Sequence, residues 1–162
     1  MRPLMGRTAL WLLTMAFVVV AGGPARGDTC SVSATALSFG IYDPLAGTAV
    51  DSAGTVSVTC TSAIPPRVDY DILLSPGQSG SYGPRAMTNG TSQLNYNLYT
   101  DPARTQVWGD GGGATSVISA RYNVTRPGST ETRDYTVYGR VFAGQNVTTG
   151  VYLDNITVTV NF

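Results

Sequence analysis

The stretch Gly150-Val151-Tyr152-Leu153-Asp154-Asn155-Ile156-Thr157-Val158-Thr159-Val160-Asn161-Phe162 decides the fold. From Ile156 onward the even positions are apolar: Ile156, Val158, Val160 and Phe162. The odd positions are Thr157, Thr159 and Asn161. Period two is the repeat of a β-strand with one face in a core and the other in water. β-branched residues dominate it, as a pleated, half-buried surface favours. No turn and no further strand follow Phe162. A core strand so placed either closes a sheet or borders a gap that a strand from elsewhere fills.

The same alternation recurs upstream. Tyr135, Val137, Gly139 and Val141 share a face, as do Ile118, Ala120, Tyr122 and Val124. Leu94, Tyr96 and Leu98 alternate with Asn95, Asn97 and Tyr99, which reads as a half-buried strand. Tyr70–Leu74 is another strand, and in Gly54–Cys60 the inward face is Val56, Val58 and Cys60. Val32, Ala34 and Ala36 share one parity, and Leu37 and Phe39 then take the other. That change predicts a bulge or a switch between sheets. Pro84-Arg85-Ala86-Met87 fits a short edge strand, where proline is tolerated. Asn89-Gly90 is a hairpin-type turn. Pro65-Pro66, Asp101-Pro102, Asp110–Gly113 and Pro127-Gly128 punctuate the rest. No segment sustains a 3.6 period. Seven or eight short strands are expected, and they make an all-β antiparallel sandwich.

Residues 1–27 read as a signal peptide and 28–162 as one β-sandwich domain. Arg2 and Arg7 give a positive start, and Ala9–Ala21 is apolar but short for a membrane span. Ala25-Arg26-Gly27 offers a small-x-small cleavage site, which makes Asp28 the first mature residue. The whole chain has no histidine, and all ten of its cations are arginines. Seven of those arginines lie beyond residue 27, against ten acids, so the mature charge is −3. No basic patch exists to grip phosphates, which argues against a nucleic-acid partner. Cys30 and Cys60, an even pair behind a signal peptide, are expected to form a disulfide. A metal pair or catalytic thiol would need companions that the sequence lacks.

Catalysis finds no support. Without histidine the commonest general base and any Ser-His-Asp set are missing. Without lysine there is no Schiff base or Walker-type cradle. No cofactor and no metal are expected. Asp69 and Asp71 share a strand face and could reach Ca²⁺ with Asp110, but no known loop spacing is present. Two solvated carboxylates are the simpler reading. Trp108, Tyr96, Tyr99 and Tyr138 could line a sugar-binding surface, although aromatics in a small sandwich more often fill its core. Arg26-Gly27-Asp28 and the Asn-x-Thr triplets, Asn155 among them, carry no weight.

Taken together, the motifs resemble the spore coat protein U family, a secreted domain also found in archaic chaperone–usher pili. The matching pieces are Cys30 leading to Phe39-Gly40-x-Tyr42, Gly54-x-Val56-x-Val58-x-Cys60, Arg85-x-Met87, and Leu94-x-Tyr96-x-Leu98-Tyr99. Trp108-Gly109, Tyr138-Gly139 and Gly150-x-Tyr152-x-Asp154-x-x-x-Val158-x-Val160 complete the set. The resemblance implies an immunoglobulin-like, pilin-type sandwich that lacks its last strand. It implies assembly by donor-strand complementation. A periplasmic chaperone lends a strand, and an outer-membrane usher exchanges it for that of a neighbouring subunit. Ile156, Val158, Val160 and Phe162 would then line the acceptor groove. The implied setting is the cell surface, as pilus or spore coat, reached through the periplasm. Adhesion to host or abiotic surfaces and a part in biofilm are implied as well. The sequence departs from polymerising pilins in one respect. After cleavage at Gly27 only Asp28-Thr29 precede Cys30, too few for a donor strand, which suggests a tip or terminal subunit. The rival reading is a self-complete adhesive or carbohydrate-binding module.

Overall fold

The computed structural model describes residues 14–17, 27–63 and 67–162. Among them it is all β, with strands β1 (Thr14–Phe17), β2 (Thr29–Ala34), β3 (Val50–Ser62), β4 (Arg67–Leu74), β5 (Arg85–Thr88), β6 (Gln93–Tyr99), β7 (Ile118–Asn123), β8 (Ser129–Val141) and β9 (Asn155–Asn161). They form a four-stranded sheet, β1-β9-β4-β7, and a five-stranded sheet, β2-β3-β8-β6-β5. Each pairing is antiparallel except that of β1 with β9, which is parallel. The architecture is the immunoglobulin-like sandwich expected. β5 is an edge strand, and β2 forms the other edge of its sheet.

The core lies between the sheets. Val56 and Val58 of β3, Ile72 and Leu74 of β4, Val137 and Val141 of β8, and Ile156 and Val158 of β9 are all buried there. Cys30 and Cys60 sit directly opposite each other in the β2–β3 ladder and are joined by a disulfide.

Three details depart from the sequence reading. β3 and β8 are not short: each has 13 residues, paired from Val50↔Val141 to Ser62↔Ser129. The extra length of β8, Ser129–Asp134, carries no apolar stripe and pairs with the Ser57–Ser62 half of β3. On the outer face of this ribbon the Ser57 hydroxyl donates to the Asp134 carboxylate at 2.6 Å, and hydroxyls meet across the strands at Thr59 and Thr132, 2.8 Å, and at Thr61 and Thr130, 2.7 Å. Such cross-strand pairs each add a few tenths of a kcal/mol, up to about 1. Second, the parity change after Ala34 marks the point where β2 ends. Leu37 and Phe39 then turn into the core. A Cβ at Gly139 would lie 2.8 Å from the Phe39 ring, so β8 needs glycine there for Phe39 to pack across it. Third, β6 is not half-buried. Asn97 and Tyr99 are buried along with Leu94, Tyr96 and Leu98. The segment around Tyr82 closes over that side and accepts a bond from Asn97 Nδ2 at 2.7 Å.

Candidate strand-accepting edge

β9 carries Ile156, Val158 and Val160 into the core, and Phe162 follows, half-buried, beyond the last ladder residue. One edge of β9 pairs with β4, from Asp71↔Asn161 to Leu74↔Val158. The opposite edge pairs with β1, from Thr14↔Asn155 to Phe17↔Val158. The sequence left this edge for a strand from another polypeptide. In the structure Thr14–Phe17, from the chain's own apolar N-terminal run, lies along it. A bare strand edge presents unpaired N–H and C=O groups, and any extended segment of suitable length can satisfy them. The remainder of residues 1–27 lies largely outside the described residues, so the signal-peptide assignment is not addressed by the fold.

The first turn of chain before β9 and the loop after β4 are held by a buried polar cluster. Arg85, on edge strand β5, has no solvent exposure. Its Nε and Nη2 donate to the carbonyl of Ser75 at 3.1 and 2.9 Å. Nη2 also donates to the carbonyl of Trp108 at 2.6 Å, and Nη1 to Asn97 Oδ1 at 2.7 Å. The guanidinium carbon lies 4.9 Å from the centre of the Tyr82 ring. Planar, delocalised and weakly hydrated, guanidinium is the cation best suited to such a site. Asp154, also fully buried, accepts from Tyr96 Oη at 2.7 Å and from the backbone N–H groups of Gln78 and Asn155, each at 2.8 Å. Burial, and then the negative charge of Asp154, hold the Tyr96 hydroxyl far above its ordinary pKa, so it stays a donor. The approach at Gly77 is so close that a Cβ there would overlap the Asp154 carboxylate. The loop from Ser75 to Gly83 is thus fixed at both ends.

The other residues singled out in the sequence are packing residues. Phe39 and Tyr42 are buried on either side of Gly40, whose φ of +72° suits glycine. Trp108 has no exposure, and its indole N–H donates to the Ile72 carbonyl at 2.9 Å. Met87, Tyr99 and Tyr152 are buried, and Tyr138 is half-buried. These aromatics form no exposed sugar-stacking surface. Gly109 and Gly150 are positions where a Cβ would crowd Thr115 and Asn89. Asp69 is bonded to Arg121 at 2.6 Å and Arg67 at 2.9 Å, and those arginines hold its carboxyl below the usual range. Asp110 is occupied by the Gly112 N–H and the Thr115 hydroxyl of its own loop. Asp69, Asp71 and Asp110 do not come together: among the described residues no cluster of three acidic or thiol groups could hold a metal. Sequence reasoning missed Ser75, Gln78 and Asn97, the partners of the buried charges. Their only signal was indirect, a lone arginine in the apolar setting Arg85-Ala86-Met87 with no nearby acid.

A family model for the Spore Coat Protein U domain matches residues 14–159. The chain belongs to the Spore Coat Protein U domain family. The match opens at the first residue of β1 and closes within β9. Among curated relatives the chain is similar to Protein U of Myxococcus xanthus, with 30% identity over 183 aligned positions, 96% of this chain and 98% of that protein. Among solved structures it is similar to a chain of the CsuC–CsuE chaperone–tip adhesion subunit pre-assembly complex from archaic chaperone–usher Csu pili of Acinetobacter baumannii. The TM-score is 0.52 at 25% identity. That likeness covers 83% of the present chain but spans only 40% of the other. The buried motif residues of this Spore Coat Protein U domain thus build a fold shared with a pilus assembly complex.

Proposed function

We propose that this chain is an exported, non-enzymatic surface subunit that accepts a strand from a second polypeptide along β9. The observation that carries the reading is the edge Asn155–Val158, whose partner is a segment of the leader. Removal of residues 1–27 on export leaves that edge bare, with Ile156 and Val158 beside it. Full burial of each such side chain is worth roughly 1.5–3 kcal/mol. Added main-chain bonds supply affinity, and alternate side chains supply fit. A periplasmic chaperone is the first donor in this reading. An outer-membrane usher and a neighbouring subunit follow. The similarity to a chaperone–tip subunit complex supports it. So does the spacing of Cys30, which leaves two residues after cleavage at Gly27 and favours a tip or terminal position. Adhesion or biofilm formation through host or abiotic surfaces belongs to the same proposal.

The pairing of β1 within the same chain favours one alternative, a self-complete module that keeps its leader segment as its own last strand. Periplasmic export with and without an archaic-type chaperone separates the two. The strand-accepting subunit should be cleaved, should form a one-to-one complex with the chaperone, and should aggregate without it. A cleaved, soluble monomer made without any chaperone would refute the strand-accepting reading.

A further inference from the structure

Continued one step past Leu74↔Val158, the β4–β9 register sets Ser75 opposite Thr157. In an antiparallel ladder such a pair can exchange both of its backbone bonds. Here Ser75 N–H donates to the Thr157 carbonyl at 2.9 Å as expected. The return bond differs. Thr157 N–H donates to the Ser75 hydroxyl, at 2.9 Å. The Ser75 carbonyl is engaged by two donors of the Arg85 guanidinium instead. The serine side chain therefore stands in for a carbonyl that the arginine has taken.

This substitution acts on a particular part of β9. The segment Asn155–Val158, which meets β1 on one edge, contains Thr157, which meets Ser75 on the other. Past Leu74 no strand of β4 remains to support it. Order in this segment therefore depends on Ser75. The position of Ser75 depends in turn on a guanidinium anchored to Trp108 and Asn97. An edge that the incoming strand must first straighten binds less tightly, because the ordering cost is subtracted from the binding free energy.

Resting on the strand-accepting reading, we propose that Arg85 is a positioning residue for strand addition, fixing Asn155–Val158 in an extended, receptive form through Ser75. Lysine cannot replace it, since one ammonium cannot reproduce a planar fork that serves Ser75, Trp108 and Asn97 together.

The exported protein is unfolded without reductant and refolded with a fluorescein-labelled peptide copying Ala9–Ala21, with lysines added for solubility. Free peptide is removed, and release is followed by anisotropy. Amide exchange at Thr157 is read by NMR on the same samples. Arg85→Lys should speed release about tenfold or more, the size expected for losing hydrogen bonds to a charged donor. It should also deprotect the Thr157 amide. Ser75→Ala keeps the carbonyl for Arg85 but removes the acceptor for Thr157. It should speed release by a smaller factor, and it tests the relay if Arg85→Lys fails to fold. Val137→Ala, in the buried core of β8, should lower the melting temperature and leave release unchanged. Equal acceleration by Val137→Ala and Arg85→Lys, at matched loss of melting temperature, would reduce the arginine to general stability and overturn the proposal. Undiminished protection of Thr157 in Arg85→Lys would overturn it independently of any peptide. A wild type that captures no peptide would instead overturn the strand-accepting reading on which it rests.

Discussion

Val158→Asp offers the sharpest test of the inward face of β9. Val158 is 3% exposed and lies opposite Leu74 on one side and Phe17 on the other. Two costs follow from the substitution. Losing the buried valine removes roughly 1.5–3 kcal/mol. The carboxyl that replaces it must be neutral to stay inside. At pH 7, protonating an aspartate of ordinary pKa costs about 4 kcal/mol. The sum, roughly 6 kcal/mol, is comparable to the whole stability of many domains. Only the second cost depends on pH, and at pH 4.5 it shrinks to about 1 kcal/mol. Thr157→Asp is the matched control, because Thr157 is half-exposed on the opposite face of the same strand. Away from the core such a change costs about 0.5 kcal/mol or so. The assay is urea unfolding of the complete 162-residue chain, which keeps β1 against β9, at both pH values, followed by tryptophan emission, to which the fully buried Trp108 contributes. Val158→Asp should unfold at much lower urea than Thr157→Asp at pH 7, and the difference should narrow by about 3 kcal/mol at pH 4.5. Equal midpoints at pH 7, or a gap that ignores pH, would show that Val158 does not face a desolvated core.

Replacing both cysteines by serine should cost about 3.5 kcal/mol on the chain-entropy model, since the bridge closes a separation of 30 residues; a loss below about 1 kcal/mol by denaturant titration would contradict this. Gly139→Ala should destabilise by roughly 1–3 kcal/mol through its clash with the Phe39 ring, and Phe39→Leu should recover part of that loss; an unchanged melting temperature would place Phe39 elsewhere. The hydrogen bond from Arg140, with Arg104 also near, holds the Asp51 carboxyl below its ordinary value of 3.8. A depressed folded pKa gives stability that is present above the unfolded value and lost as pH falls through the folded one, so urea midpoints should decline below about pH 4, and Arg140→Gln should flatten that slope. N-terminal sequencing of exported protein should find its start between Pro24 and Asp28; a start before Ala16 would leave enough chain for a donor strand and would end the argument for a terminal subunit.

How much of this was legible depended on which force shaped each element. Strands built on apolar alternation, such as Ile156–Val160 and Val56–Cys60, were visible because burial imposes period two on the sequence. The polar half of β8, Ser129–Asp134, was not. Thr130 and Thr132 are held by neighbours far away in the chain, and threonine alternating with charge reads equally well as loop. β6 was misjudged for a related reason. Asn95 and Asn97 look alike as letters, yet Asn97 is buried because Arg85 and the Tyr82 carbonyl satisfy its amide. Arg85, Tyr96 and Asp154 were picked out as motif letters, but their roles could not be read. A buried charge is defined by its hydrogen-bond partners: the carbonyls of Ser75 and Trp108 accept from Arg85, and the N–H groups of Gln78 and Asn155 donate to Asp154. The parallel strand β1 was hidden differently. An apolar run of leader type signals export, and pairing direction leaves no mark on composition.

In the proposed reading, the buried cluster and the β9 edge that β1 covers answer a shared physical demand. A sheet edge meant to receive a strand must stay unpaired and yet be straight, and those requirements conflict. Paired edges are ordered by their ladders, whereas free edges twist, fray or pair wrongly. Apolar packing alone resolves the conflict poorly. Ile156 and Val158 hold one face of β9 against the core, but such contacts are non-directional and tolerate a slip of the backbone. Hydrogen bonds to Ser75 and Asp154 are directional, and both lie at the start of β9, where β4 has already ended. Burying Arg85 and Asp154 to place them costs desolvation that a hydrophobic pair of similar volume would avoid. Those charges sit at the point in the sandwich where an apolar replacement would leave backbone register undefined. Register, more than stability, is what an incoming strand reads, because a shift of one residue along β9 would turn Ile156 and Val158 out of the groove and Thr157 into it.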